Sequence, residues 1–160
     1  MRKFDSILKC QKGFTLMEVA IALSIMSIAS GIVMASFAFF ERRQLHSAAV
    51  ELQLSLRYAQ NMALQEGARH SIVFFPQNNS YMLRRMDDNF YATVRQVQVE
   101  NARILSVTAV NNTVSFTPRG TTGSASTITL QSNRYSVNLT VSLGAGRVLI
   151  HDIVPNLNLG

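Results

Sequence analysis

Between Val19 and Phe40 the chain runs 22 residues without a charge. A helix of about 20 apolar residues is what crosses a bilayer core. The run is too long for the roughly 7–15-residue apolar region of a secretory signal peptide. Ser24, Ser27, Ser30 and Ser36 interrupt it, and a helix tolerates such serines by bonding them back to its own carbonyls. Four cations (Arg2, Lys3, Lys9 and Lys12) and one acid (Asp5) precede the run. That basic flank sets the N-terminus on the cytoplasmic side. The run closes on Glu41, Arg42 and Arg43.

Helical periodicity continues past the charges. Leu45, Ala49, Leu52, Leu56, Ala59 and Ala63 recur three or four positions apart, which lays one apolar stripe along an amphipathic helix. Glu41, Arg42, Glu51, Arg57 and Glu66 fall off that stripe. No proline occurs before Pro76, and Gly67 is a C-terminal stop. The pattern predicts one helix over about 15–66. Its first half, 14–40, spans the membrane, and its second half, 41–66, packs on a domain. Gly31 is its internal weak point.

After Gly67 the period changes to two. His70–Phe75 reads as a strand, Pro76–Asn79 as a turn and Tyr81–Met86 as the hairpin partner. Arg84, Arg85, Asp87 and Asp88 read as a self-neutralising polar connection. Val94–Val99 alternates valine with arginine and glutamine, the signature of a half-buried strand. Ile104–Val110, an Asn111-Asn112 turn and Val114–Thr117 follow, then a loop over 118–127. Ile128–Leu130, Tyr135–Leu143 and Arg147–Ile150 complete the β region, with Gly144 and Gly146 turning the last hairpin. The fold class expected is therefore α+β: a long N-terminal helix packed on a C-terminal antiparallel β region, 67–160.

Several chemistries are excluded. The one cysteine, Cys10, supports neither a disulfide framework nor a cysteine zinc site, and three isolated histidines make no metal centre. His151-Asp152 lacks a nucleophile at a recognisable spacing, while His46 and His70 read as structural. Tyr81, Phe90 and Tyr91 read as hairpin packing rather than a stacking platform. No catalytic residue, cofactor or nucleotide-binding motif is expected. The net charge of +6 on 160 residues is split between the short leader and the remainder, so it makes no dense basic stripe.

The junction before the apolar run carries the functional signal. Lys12-Gly13-Phe14-Thr15-Leu16-Met17-Glu18 resembles the processing site of type IV prepilins and type II secretion pseudopilins: a basic leader ending in glycine, then phenylalanine, then glutamate at the fifth mature position. The resemblance implies a pilin-like fold and cleavage of leader 1–13 between Gly13 and Phe14 by a prepilin peptidase. It also implies N-methylation of Phe14 and assembly of the helix into a filament. Glu18 would then attract the N-terminal amine of a neighbouring subunit. Thr15-x-x-Glu18 is also a capping box, and the two roles coexist.

The long helix, the Ala/Gln-rich stretch Leu56–Glu66 and the closing Val141–Val148 segment resemble the GspH/FimT-type minor pseudopilins, including the ComGD-like competence proteins. That likeness implies a non-enzymatic subunit of a type II secretion, competence or type IV pilus machine, in the inner membrane first and then in the filament. The implied partners are the peptidase, other pilins or pseudopilins, and an inner-membrane assembly platform with its ATPase. Two alternatives stand beside it. One is a DNA-receptor minor pilin, in which Arg119, Arg134 and Arg147 share one surface. Gly146-Arg147-Val148-Leu149 lacks the second arginine of the Gly-Arg-x-Arg element of some FimT-type proteins, and the bland alternative is solvated strand-end arginines. The other is an uncleaved signal-anchored membrane protein.

Overall fold

The computed structural model describes residues 15–87 and 90–156, without the side chains of 32–38 and Asp87. The chain forms two compact units, Met1–Ala38 and Phe39–Gly160. One helix, α1 (Leu16–Glu66), is followed by nine strands: β1 (His70–Phe75), β2 (Ser80–Asp87), β3 (Phe90–Gln98), β4 (Arg103–Val107), β5 (Thr113–Phe116), β6 (Ser126–Gln131), β7 (Tyr135–Val141), β8 (Val148–Ile150) and β9 (Val154–Pro155).

The first unit contains the start of α1. Ser24, Ser27 and Ser30 donate their hydroxyls to the carbonyls of Ala20, Leu23 and Met26, at 2.8, 3.0 and 2.8 Å, as the apolar run requires. Among the described residues no helix is long and apolar enough to cross a membrane. Part of the uncharged run, 32–38, lies outside the described side chains, so the spanning expectation rests on the sequence.

In the second unit the apolar stripe of α1 is the spine of the core. Leu45, Ala49, Leu52, Leu56, Ala59 and Ala63 are all at most 1% exposed, and Ala48 joins them. Alanine at three of those six stripe positions lets strands approach the helix backbone closely. Gly67, at φ +61°, ends the helix in the left-handed conformation that glycine adopts without strain.

Two antiparallel sheets supply the rest of the core. The first has the order β3-β2-β1-β5, the second β4-β6-β7-β8, with β9 also pairing β7. In the first, Ile72 sits between Leu83 and Val114, and Phe74 faces Tyr81. In the second, Ile128 faces Leu139 and Leu130 faces Val137. All nine side chains are buried. The chain crosses from the first sheet to the second after β3, returns for β5, and ends in the second. Asn79 fastens this crossing. At φ +48° its amide donates to the carbonyls of Val99 (2.8 Å) and Ala102 (2.6 Å), and its Oδ1 accepts the Ile104 N–H at 2.8 Å.

Some boundaries differ from the sequence reading. Arg84 and Arg85 lie inside β2, paired with Thr93 and Ala92 of β3, rather than in a connection; Asp88 lies outside the described residues. β3 begins at Phe90, four positions early. Phe90 and Tyr91 are exposed, not hairpin core; of the three aromatics only Tyr81 is buried. The strand expected over Ile104–Val110 stops at Val107, and Val110–Asn112 forms a short 3-10 turn with Asn111 and Asn112 at positive φ. Ser126 and Thr127 belong to β6, not to the loop.

Candidate functional site

The site residues expected from the sequence fall at the helix start and on the head. Gly13, Phe14 and the leader 1–13 lie outside the described residues. From Thr15 onward the geometry is clear. Thr15 accepts the Glu18 backbone N–H on its Oγ1 at 3.2 Å and on its carbonyl at 3.0 Å, so the threonine half of the capping box is made. Glu18 occupies the first turn, where the helix dipole favours a carboxylate. Among the described residues no cation pairs with that carboxylate. Beyond it Ile21, Leu23, Ile25, Met26 and Ile28 are each more than half exposed, and a 100° step per residue distributes them around the helix. A helix apolar on every side is stable only against lipid or other apolar helices.

On the head, two glutamines join α1 to the second sheet. Gln53 Nε2 donates to the Val148 carbonyl at 3.0 Å. Gln60 Nε2 donates to the carbonyls of Gly120 (2.7 Å) and Ala145 (3.0 Å). The segment 145–148 therefore passes along the helix between residues 60 and 53. Arg57 lies between those glutamines on the same flank. This brings Arg147 and Arg119, both exposed, to the side of the helix that carries Arg57. Sequence reasoning left Arg57 out because its relation to Arg147 is created by contacts 85 and 95 residues apart in the chain.

Arg134 is elsewhere. It lies in the β6–β7 turn, next to Ser132 and Asn133, which line a polar cleft with Gln44 of α1. Gln44 precedes Gln60 by 16 positions, about 24 Å of helix. The structure thus separates Arg134 from Arg119 and Arg147 and does not make one surface of the three.

At the helix end, buried His70 places Nε2 3.4 Å from Glu66 Oε2, which also lies 3.3 Å from Arg85 Nε. His70 Nδ1 is 3.3 Å from the Ala68 carbonyl. This group ties α1 to β1 and β2, a structural role that agrees with the sequence reading of His70. The Tyr81 hydroxyl bonds Ser55 Oγ at 2.8 Å. Burial pushes the Tyr81 phenol up from its usual pKa, the bond to Ser55 opposes this, Glu51 adds to the rise and Arg95 opposes it. His151 Nε2 is 2.9 Å from Thr140 Oγ1. Among the described residues no group of three His, Cys, Asp or Glu side chains could hold a metal ion.

A long N-terminal helix whose second half is the spine of an antiparallel head defines a pilin-like fold. The chain belongs to the type II transport protein GspH family, whose model matches residues 48–146. The prokaryotic N-terminal methylation motif matches residues 8–34. Among solved structures, the type IV minor pilin FimU of Pseudomonas aeruginosa (strain PAO1) is similar at 21% identity and a TM-score of 0.59, over 71% of this chain and 92% of that one. The minor pseudopilin EpsH from the type 2 secretion system of Vibrio cholerae is similar at 10% identity and a TM-score of 0.56, over 68% of this chain and 96% of that one. At these identities the likeness shows the fold. No curated protein matches the chain in sequence. The family and both structural relatives are pilins and pseudopilins, which are structural proteins rather than enzymes.

Proposed function

We propose that this chain is a minor pseudopilin, made as a precursor and cleaved between Gly13 and Phe14 by a prepilin peptidase at the cytoplasmic face. Phe14 is then N-methylated. Residues 14–40 hold the subunit in the inner membrane with the head, 67–160, on the far side, joined through the amphipathic half, 41–66. An assembly platform and its ATPase then extract it into a filament. One observation carries this reading: the methylation motif over 8–34 leads into a helix with apolar side chains exposed all round, and that helix continues as the spine of a GspH-family head.

Glu18 is the proposed assembly residue. Cleavage removes the whole basic leader, 1–13, and creates an amine on Phe14. In an apolar bundle an amine and a carboxylate are each costly alone, so pairing Glu18 of one subunit with the Phe14 amine of the next fixes their axial register. Intact mass of membrane-extracted protein tests the processing: the mature species should begin at Phe14, and replacing Gly13 should leave the precursor whole. A mature chain beginning elsewhere sinks the assignment, and an uncleaved wild type makes it a signal-anchored protein. Glu18→Ala should be cleaved and inserted normally yet crosslink poorly to other pilins. Normal incorporation would refute the pairing.

A second reading, a DNA-receptor minor pilin, draws support from the shared flank of Arg57, Arg119 and Arg147, without Arg134. Arginine forks suit phosphate. Such binding should weaken steeply with salt and fail in the triple glutamine variant. A deletion strain separates the machines: loss of DNA uptake with normal secretion points to competence, and the reverse to secretion.

A further inference from the structure

A cleft lies beside the first turns of the head's part of α1. Arg42, Arg43 and His46 of the helix face His151 and Asp152, which follow β8, across a space of about 680 Å³ floored by Val50 and Ile150. His151 is fixed in place by Thr140. Among the described residues neither arginine forms an ion pair, and neither does Asp152. Two arginines against one aspartate leave the cleft a net positive charge, matched to a ligand of one net negative charge.

Its place in the chain identifies the ligand. The uncharged run ends at Phe40, and Phe39 and Phe40 are 72% and 60% exposed. These exposed apolar rings carry the lipid-compatible run up to its last residue before Glu41. From Phe40 to His46 the helix rises about 9 Å, so the cleft opens at headgroup depth. Arginines on the flank away from the cytoplasm run against the usual bias of charge toward the inside. A neighbouring phosphate gives them a function there. The cleft is also amphipathic, with cations on its walls and aliphatic side chains on its floor, as a headgroup joined to a glyceride requires.

We propose that this cleft seats the headgroup of an anionic phospholipid of the phosphatidylglycerol type. The phosphodiester lies between Arg42 and Arg43, and the glycerol hydroxyls donate to Asp152. The proposal rests on the membrane-anchored reading of residues 14–40. A seated lipid would hold the head upright on the bilayer before extraction, and extraction would have to break that contact.

The test uses the full chain. An alkaline carbonate wash of membranes first reads the anchor by itself. Native mass spectrometry of detergent-extracted protein, offered phosphatidylglycerol, phosphatidylethanolamine and phosphatidylcholine together, then reads the seat. The wild type should retain phosphatidylglycerol preferentially. Arg42→Gln with Arg43→Gln should lower that preference roughly 30-fold, at about one factor of five per arginine, and Arg119→Gln with Arg147→Gln should not change it. Both pairs are exposed, and circular dichroism confirms that each variant is folded. Equal retention of the three lipids overturns the proposal, as does an unchanged preference in the Arg42/Arg43 variant. Displacement of the lipid by millimolar inorganic phosphate overturns it in favour of a free anion. Capture of a short DNA duplex through the same two arginines, without lipid preference, overturns it in favour of nucleic acid. Release by carbonate with the lipid preference intact rejects the anchor and keeps the seat. Retention in carbonate without lipid preference rejects the seat and keeps the anchor.

Discussion

Gly146→Ala perturbs the join between helix and head at its tightest point. Gly146 has φ +62°, and a Cβ there would lie 2.8 Å from Gln60 Nε2, 3.0 Å from the Gly120 carbonyl oxygen and 3.2 Å from Phe116 Cε1. The left-handed backbone costs an alanine about 1–2 kcal/mol. To make room, the Gln60 amide must also leave the carbonyls of Gly120 and Ala145, at a net cost of about 1 kcal/mol per hydrogen bond. The total is about 3–4 kcal/mol. With about 2.1 cal/mol/K of unfolding entropy per residue, a unit the size of Phe39–Gly160 shifts by about 4 °C per kcal/mol. The full chain in detergent should therefore lose about 12–16 °C in Tm by circular dichroism. Gly144→Ala is the control. Its φ is +76°, but nothing lies within 4 Å of the added Cβ, so only the backbone cost of about 4–8 °C applies. In a Gln60→Ala background the Gly146→Ala cost should shrink by about 2 kcal/mol, since the bonds it breaks are already gone. Equal losses for the two glycines would refute the argument, and so would an unchanged cost in that background.

Two further outcomes follow from the core. Leu56→Ala, at a fully buried position, should cost about 3–5 kcal/mol, while Leu54→Ala, 59% exposed on the same helix, should stay within about 0.5 kcal/mol; denaturant midpoints compare the two. The Tyr81 phenol, raised mainly by burial, keeps its proton in the folded state above the pH near 10 at which the unfolded chain loses it. Stability should hold below that pH and fall as pH rises through the folded value, and Tyr81→Phe should flatten the alkaline limb in pH-stepped urea titrations.

The helix and its buried face were legible because one physical pattern, apolar residues three or four apart, fixes both. All six stripe residues are core, and Gly67 ends the helix where its backbone freedom suggests. The early start of β3 was not legible. Phe90–Val94 is exposed on both faces, so burial imposes no alternation there and period-two reasoning has nothing to read. β9 escaped notice for a different reason: Val154–Pro155 is a two-residue pairing that depends on β7 being in place. The N-terminal methylation motif over 8–34 was readable because it is local in the chain. The arginine groupings were not, because whether Arg147 lies near Arg57 or Arg134 is decided by Gln53 and Gln60 reaching across the fold.

The crossing held by Asn79 has a consequence for the order in which the subunit is made. The first sheet is unfinished until β5 has been synthesised, and by then β4 already waits for β6 to give it a partner. The first sheet cannot close on a nascent chain shorter than about residue 116, nor the second on one shorter than about residue 150. The helix face with its seven buried side chains leaves the ribosome long before either sheet can cover it. The head therefore folds late, once most of the polypeptide has been made, and a chain truncated before β6 leaves β4 without a partner.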